Sequence, residues 1–199
     1  MAKDKKYTGA DIQALSDRDH VRLRTQIYLG NMHPVVHSIP LLTEDMISIK
    51  QVEFVPAVYK AIGEVIDNAL DEFSHLTSKI DVHATGKRTP EVALGQLKAG
   101  RNFTDDKEIG VIGQNGVGVA CTNYCSSQFD VTIHRDNKRY TQRFVDGADH
   151  VSTPKIVAAP SAPSGTQITF QLDPLVFKNV AVPEELIHNR AIEIAITNP

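Results

Sequence analysis

Apolar residues recur at three- and four-residue steps between Val55 and Phe73, and this is the strongest periodicity in the chain. Val55, Val58, Ile62, Val65, Ile66, Ala69 and Phe73 define one face of a predicted helix. On a 3.6-residue wheel, Glu64, Asp67, Asn68 and Asp71 fall together on the opposite face. A shorter helical pattern runs from Asp11 to Arg24, anchored by Ile12, Leu15, Val21 and Leu23. The stretch Gly30 to Pro40, broken by two prolines, reads as a loop. Strand patterns occupy Lys79–Ala84, Phe129–His134, Arg139–Val145 and Thr166–Leu172. Arg135-Asp136-Asn137-Lys138 suits a hairpin turn between the middle two, and Pro160 and Pro163 mark a loop before the last. Pro183 opens a terminal helix at a position where proline is tolerated. Helices alternating with a run of strands predict an α+β fold, mainly antiparallel, with helices covering the sheet.

Composition narrows the class more than it enriches it. A chain of 199 residues is long enough for one good-sized domain. A net charge of −3 provides no general positive field, so any nucleic-acid contact would need a local patch or another domain. No apolar run approaches the roughly 18–20 residues that span a bilayer. The first residues, including Lys3, Lys5 and Lys6, lack the apolar core of a signal peptide and read as a flexible arm over 1–10. A cytoplasmic protein is expected. Cys121 and Cys125, the only cysteines, cannot make a disulfide framework; spaced to share one helix face, they are expected to be buried small hydrophobes rather than a metal or redox pair. His33 and His37 have the spacing of a metal pair, but no helix aligns them and no third ligand lies nearby, so no metal site is expected there.

Three segments could carry chemistry. EVIDNALDE, Glu64 to Glu72, is either a solvated helix face, with Lys60 as an i, i+4 partner of Glu64, or a phosphate site. In the second reading a carboxylate polarises a water while an amide one turn away holds Mg²⁺. IGVIGQNGVGVACTN, Ile109 to Asn123, places Gly110, Gly113, Gly116 and Gly118 before a helix-like run, where backbone N–H groups can approach phosphate oxygens. Its order is GxxGxG, unlike the dinucleotide fingerprint, and no Gly-Lys-Ser/Thr follows as a P-loop requires. Ser164-Gly165-Thr166 delivers a threonine onto a strand and is a weak signal alone.

Taken in order, these segments resemble the GHKL ATPases and, among them, the type IIA DNA topoisomerases. EVIDNALDE is similar to that family's N-box, QLKAGRNFTDDKEIGVIGQNGVGVACTNYCS to its ATP lid and glycine box, and SGTQITFQLD to its Ser-Gly-Thr strand. DRDHVRLRTQIYLGN, with Tyr28-Leu29-Gly30, resembles the stretch after the N-terminal arm, and ELIHNRAIEIAITNP the closing helix. Asn115-Gly116-Val117-Gly118 leans towards the tailed-bacteriophage and eukaryotic enzymes. The resemblance implies a two-layer α/β sandwich of the Bergerat type, with a mainly antiparallel mixed sheet covered on one face, spanning residues 11–199. It implies ATP and Mg²⁺, with Glu64 as general base, Asn68 as the magnesium ligand, and Asp71 and Glu72 shaping the pocket floor. Lys98 and Asn102 would contact nucleotide from the lid, Gly113, Gln114, Asn115, Gly116, Val117 and Gly118 would wrap the triphosphate, and Thr166 would reach the adenine edge. Implied partners are a second copy, joined through the N-terminal arm when ATP binds, other topoisomerase domains or subunits, and double-stranded DNA. A cytoplasmic, nucleoid-associated enzyme is expected from the same likeness, with phage encoding left open.

The sequence also departs from that pattern. Between the N-box helix and the lid the family carries a hairpin ending in Asp/Asn-x-Gly-x-Gly, whose acid or amide reads adenine. Here Lys79–Ala84 passes straight into TGKRTPEVALGQL, as if a hairpin had been deleted near 84–85. Ala120 stands where eukaryotic members have lysine, and the family's transducer domain, which supplies a lysine to the γ-phosphate, does not follow. Weak isolated hydrolysis is therefore expected. Two alternatives stay open: an interaction module that kept the fold but lost the pocket, or another GHKL ATPase of the mismatch-repair type.

Overall fold

The computed structural model describes residues 14–42, 46–75, 80–99 and 116–197, apart from the side chains of 71–75. Two short helices open it, α1 (Asp17–Leu23) and α2 (Thr25–Leu29), followed by the strands β1 (Val35–Leu42) and β2 (Ile47–Phe54). The long α3 (Pro56–His75) comes next, then α4 (Thr89–Gly95) and α5 (Gly118–Tyr124). The strands β3 (Ser126–Arg135), β4 (Lys138–Val145), β5 (His150–Val151), β6 (Lys155–Ala158) and β7 (Gly165–Leu172) precede the terminal α6 (Glu184–Thr197). No described helix is long and apolar enough to cross a membrane.

The main sheet has the order β5-β4-β3-β7, with β6 also pairing β4, and every pairing is antiparallel. The β3–β4 turn works because Asp136 and Asn137 both adopt positive φ, 50° and 58°, as a tight hairpin needs. Alternation then sorts the two faces. Phe129, Val131, Ile133, Tyr140 and Phe144 are buried with Leu94 of α4 and Val119 of α5. On the other face Asp130 lies opposite Arg143 and Thr132 opposite Thr141. Arg143 grips Asp130 through Nε at 2.6 Å and Nη2 at 2.8 Å, and this pairing holds the Asp130 carboxyl below its ordinary range. The helices therefore cover one face of an antiparallel sheet, the two-layer α+β arrangement read from the sequence.

Several element readings need correction. The predicted loop from Gly30 to Pro40 contains most of β1, which pairs with β2 from Val35 opposite Phe54 to Leu42 opposite Ile47. Pro40 is tolerated because β1 belongs to a two-stranded ribbon, where a missing N–H can face outward. Leu41 and Val52 of that ribbon bury against Leu186 of α6, and the Leu42 amide donates to Asn189 Oδ1 at 3.0 Å. Of the pattern from Asp11 to Arg24, residues 11–13 lie outside the described residues, 14–16 are not helical, and α1 begins at Asp17. Ser16 caps it by accepting from the Asp19 amide, and Arg24, at φ −123° and ψ 38°, separates it from α2. Within Lys79–Ala84 the described residues form no strand. They make one bridge, Val82 to Arg88, closed by His83 N to Lys87 O at 2.8 Å and turned at Gly86, whose φ is +81°. A glycine turn so soon after Val82 leaves too few residues to build a ladder.

Candidate functional site

α3 begins at Pro56, where proline's missing N–H costs nothing, and its first half is the better buried. Ala57 and Ala61 are fully buried beside Val55 and Val58, although only the valines belong to the predicted apolar face. Ala69, assigned to that face, is exposed. The reason is the neighbour. α5 packs on the first half of α3, with Cys121, Tyr124 and Cys125 in the same cluster as Ala57, Val58 and Ala61. Small side chains let the two backbones close in. Both cysteines are free and buried, as expected from their spacing. Burial, with Cys125 and Glu64 nearby, pushes the Cys121 thiol up to about 12, and burial pushes Cys125 to about 11.

Glu64 sits at this junction. A Cβ built on Gly118 would lie 1.5 Å from Glu64 Oε2, so the carboxylate occupies the space that any side chain at 118 would fill. Its other oxygen, Oε1, is paired with Lys60 Nζ. Thr122, fully buried one turn further along α5, donates to Ala61 O at 3.1 Å and reaches Gly118 O at 3.4 Å. The contacts Gly118 to Glu64 and Thr122 to Ala61 run in opposite chain directions, so the two helices pack antiparallel in a fixed register. Gly116, with φ +58°, uses the left-handed backbone that a side chain disfavours, and Val117 forms the entry to α5.

The acidic face of α3 is divided between two neighbours. Asp67 turns to α6 and pairs with Arg190 Nη2 at 2.6 Å, while Arg190 also meets Glu193 at 3.3 Å. Lys60, Gly63, Asp67, Ile187 and Arg190 border a cleft of about 230 Å³ on that flank. Asn68, one turn beyond Glu64, is exposed. Asp71 and Glu72 belong to the last turns of α3, and their side chains lie outside the described residues.

Other candidates are distributed around α5. Asn123 Nδ2 donates to Leu94 O at 2.9 Å and Tyr124 Oη to Gly95 O at 2.8 Å, so α5 holds the last carbonyls of α4. Asn123 Oδ1, buried in the same place, has no hydrogen-bond partner among the described residues. Lys98, just after α4, is exposed with φ +60°. Asn102, Gly113, Gln114 and Asn115 fall outside the described residues. Thr166 is exposed on β7, opposite Ile133. Ala120, the position of the family's lysine, is fully buried. His37 stands in β1 with its ring 5.8 Å from Phe54, and His33 occupies the bend before it. Thr122 and the Asn123–Tyr124 pair escape the sequence reading. The four-residue step from Gly118 to Thr122 is the only signal that a second polar group shares the glycine's helix face.

The chain resembles known proteins along nearly its whole length. It is 29% identical to the DNA topoisomerase 4 B subunit of Mycoplasma capricolum over 220 residues, covering 100% of this chain and 31% of that protein. It is 29% identical to the DNA gyrase B subunit of Thermotoga maritima, covering 98% of this chain and 30% of the relative. Candida albicans DNA topoisomerase 2 matches at 29% over 81% of the chain. The chain thus spans about a third of the bacterial relatives it matches. No protein-family model matches it. The crystal structure of the ATPase region of Saccharomyces cerevisiae topoisomerase II superposes with a TM-score of 0.83 at 21% identity, covering 96% of this chain and 58% of that one. The ATPase and transducer domains of Balamuthia mandrillaris topoisomerase II also superpose at 0.83, with 22% identity.

Proposed function

Because the chain is a homologue of type IIA topoisomerase subunits and has the GHKL fold of their ATPase region, we propose that it binds and hydrolyses ATP as the gate domain of such an enzyme. The observation that carries this reading is the Glu64 carboxylate lying against Gly118, at the mouth of a glycine segment that opens a helix. A glycine kept bare so that a carboxylate can occupy its side-chain space is hard to explain as a solvated helix face.

In this reading Glu64 is the general base that orients water towards the γ-phosphate. Asn68, exposed one turn on, offers an amide oxygen of the kind Mg²⁺ takes alongside phosphate and water oxygens. Asp71 and Glu72 complete a polar floor. Backbone amides from Gly113 through Gly118 cradle the phosphates, Lys98 and Asn102 approach from the lid, and Thr166 meets the adenine edge. Phosphoryl transfer of this kind is mostly positioning and charge stabilisation, which a site of fixed carboxylate and amides can supply. ATP-driven pairing with a second copy, and passage of double-stranded DNA through the closed gate, belong to the longer enzyme. The closed turn from Asp81 to Thr89, where the family carries an adenine-reading hairpin, favours a second reading in which the fold persists without nucleotide binding.

Equilibrium binding of a fluorescent non-hydrolysable ATP analogue, with and without Mg²⁺, separates the two. Magnesium-dependent saturation is expected, with hydrolysis abolished and binding retained in Glu64→Gln. An analogue that never saturates, or an unchanged hydrolysis rate in Glu64→Gln, overturns the ATPase reading.

A further inference from the structure

We propose that Thr122 is a positioning residue for Glu64: its hydroxyl sets the α3–α5 register that keeps the carboxylate over Gly118. This rests on reading Glu64 as the base. Among the described residues the two helices meet at two polar points. At one, the Glu64 carboxylate fills the side-chain space of Gly118. At the other, Thr122 Oγ1 donates across the interface to Ala61 O at 3.1 Å. A buried threonine commonly bonds back to the carbonyl four residues earlier, and Gly118 O does lie 3.4 Å away. The cross-helix acceptor is nearer, and it lies on the same helix as Glu64, three residues before it.

The rest of this interface is apolar: Ala57, Val58 and Ala61 face Cys121, Tyr124 and Cys125. Apolar contacts are non-directional and tolerate sliding, whereas a hydrogen bond with a fully buried donor does not. Losing the hydroxyl leaves the packing but frees the register. Displacement of a reacting group by about 1 Å can cost on the order of 100-fold in rate, so a partial slip is expected to cost about tenfold.

The test compares Thr122→Val, which keeps the shape and removes the donor, with Thr122→Ser, which restores it. One readout is the ¹³C signal of the Glu64 carboxyl in glutamate-labelled protein, assigned by its loss in Glu64→Gln. The other is kcat beside analogue affinity. Thr122→Val is expected to move the Glu64 signal and lower kcat about tenfold while analogue affinity stays within about twofold, and Thr122→Ser to leave all three near wild type. A Thr122→Val protein with an unmoved signal overturns the proposal. So does a loss of affinity and melting temperature in step with kcat, because that marks general destabilisation. If the wild-type chain neither binds nor hydrolyses nucleotide but the signal still moves, the ATPase reading falls and the positioning role stands.

Discussion

Where α3 meets α5, Ala57, Ala61 and Gly118 bring two backbones together and leave room for one carboxylate. Where the same helix meets α6, Asp67 and Arg190 reach across a cleft of about 230 Å³ at 2.6 Å. Glu64 and Asp67 are three residues apart in sequence, yet one is fitted into a gap and the other bridges one. Small residues let the two backbones close in, and the bond from Thr122 to Ala61 O ties their register. Long charged side chains span variable distances, and their ion pairs contribute little when partly solvated. One helix thus keeps its chemically demanding carboxylate on its close-packed flank and uses its adaptable one for attachment.

Adding one methyl group on the first flank should have the largest effect. In Gly118→Ala the new Cβ coincides with Glu64 Oε2, and the flexible glutamate must swing away. Stability should change by less than about 1 kcal/mol, but kcat should fall about 100-fold. Stopped-time phosphate release beside thermal melting will show whether rate and stability separate as expected. A smaller effect is expected on the second flank. Arg190→Met removes the bridge to Asp67 and should lower stability by about 1 kcal/mol, discounted because both groups touch solvent, with kcat unchanged. A kcat that falls with Arg190→Met would erase the distinction between the flanks.

The smallest effect concerns the buried thiols of the close-packed flank. Native protein at pH 8 should react slowly with iodoacetamide at Cys121 and Cys125, and quickly once unfolded, as mass spectrometry would record. Burial raises both thiols to about 12 and about 11. A raised folded value means that their contribution to stability is intact below the unfolded value of about 8.5 and declines as pH rises through the folded values. Denaturation midpoints should therefore fall on the alkaline side, and less so in Cys125→Ala.

Much of this architecture could be read directly from the residues. Period-two alternation located β3, β4 and β7 because each has one covered face, and the Asp136-Asn137 turn joined the first two. Glu64 and Gly118 stand out through the likeness of their segments, taken in order, to the N-box and glycine box of the GHKL ATPases, since a carboxylate on a helix is common by itself. Other features were hidden for physical reasons. β1 carries Pro40 and lies in a two-stranded ribbon with half of its own positions exposed and no regular alternation, so neither composition nor periodicity marks it. Lys79–Ala84 has the residues of a strand but meets a glycine turn, and pairing is decided by partners that lie elsewhere in sequence. Thr122 looks like any helical threonine until the carbonyl of Ala61 is beside it. The division of the acidic face of α3 depended on α6, which begins more than a hundred residues later.

α1 is fastened to the far side of this junction by guanidinium groups. Arg22 donates to Tyr124 O at 2.8 Å and pairs with Asp173 at 2.6 Å, while Arg18 donates to the carbonyls of Asp146 and Gly147 at 2.7 and 3.0 Å. Gly147 cannot be replaced without displacing those anchors, since a Cβ there would come within 2.4 Å of Tyr124 O. Mechanical load entering the body ahead of α1 is therefore handed through Arg22 to the C-terminal end of α5, the helix whose opposite end supports Glu64, and through Arg18 to the turn that follows β4.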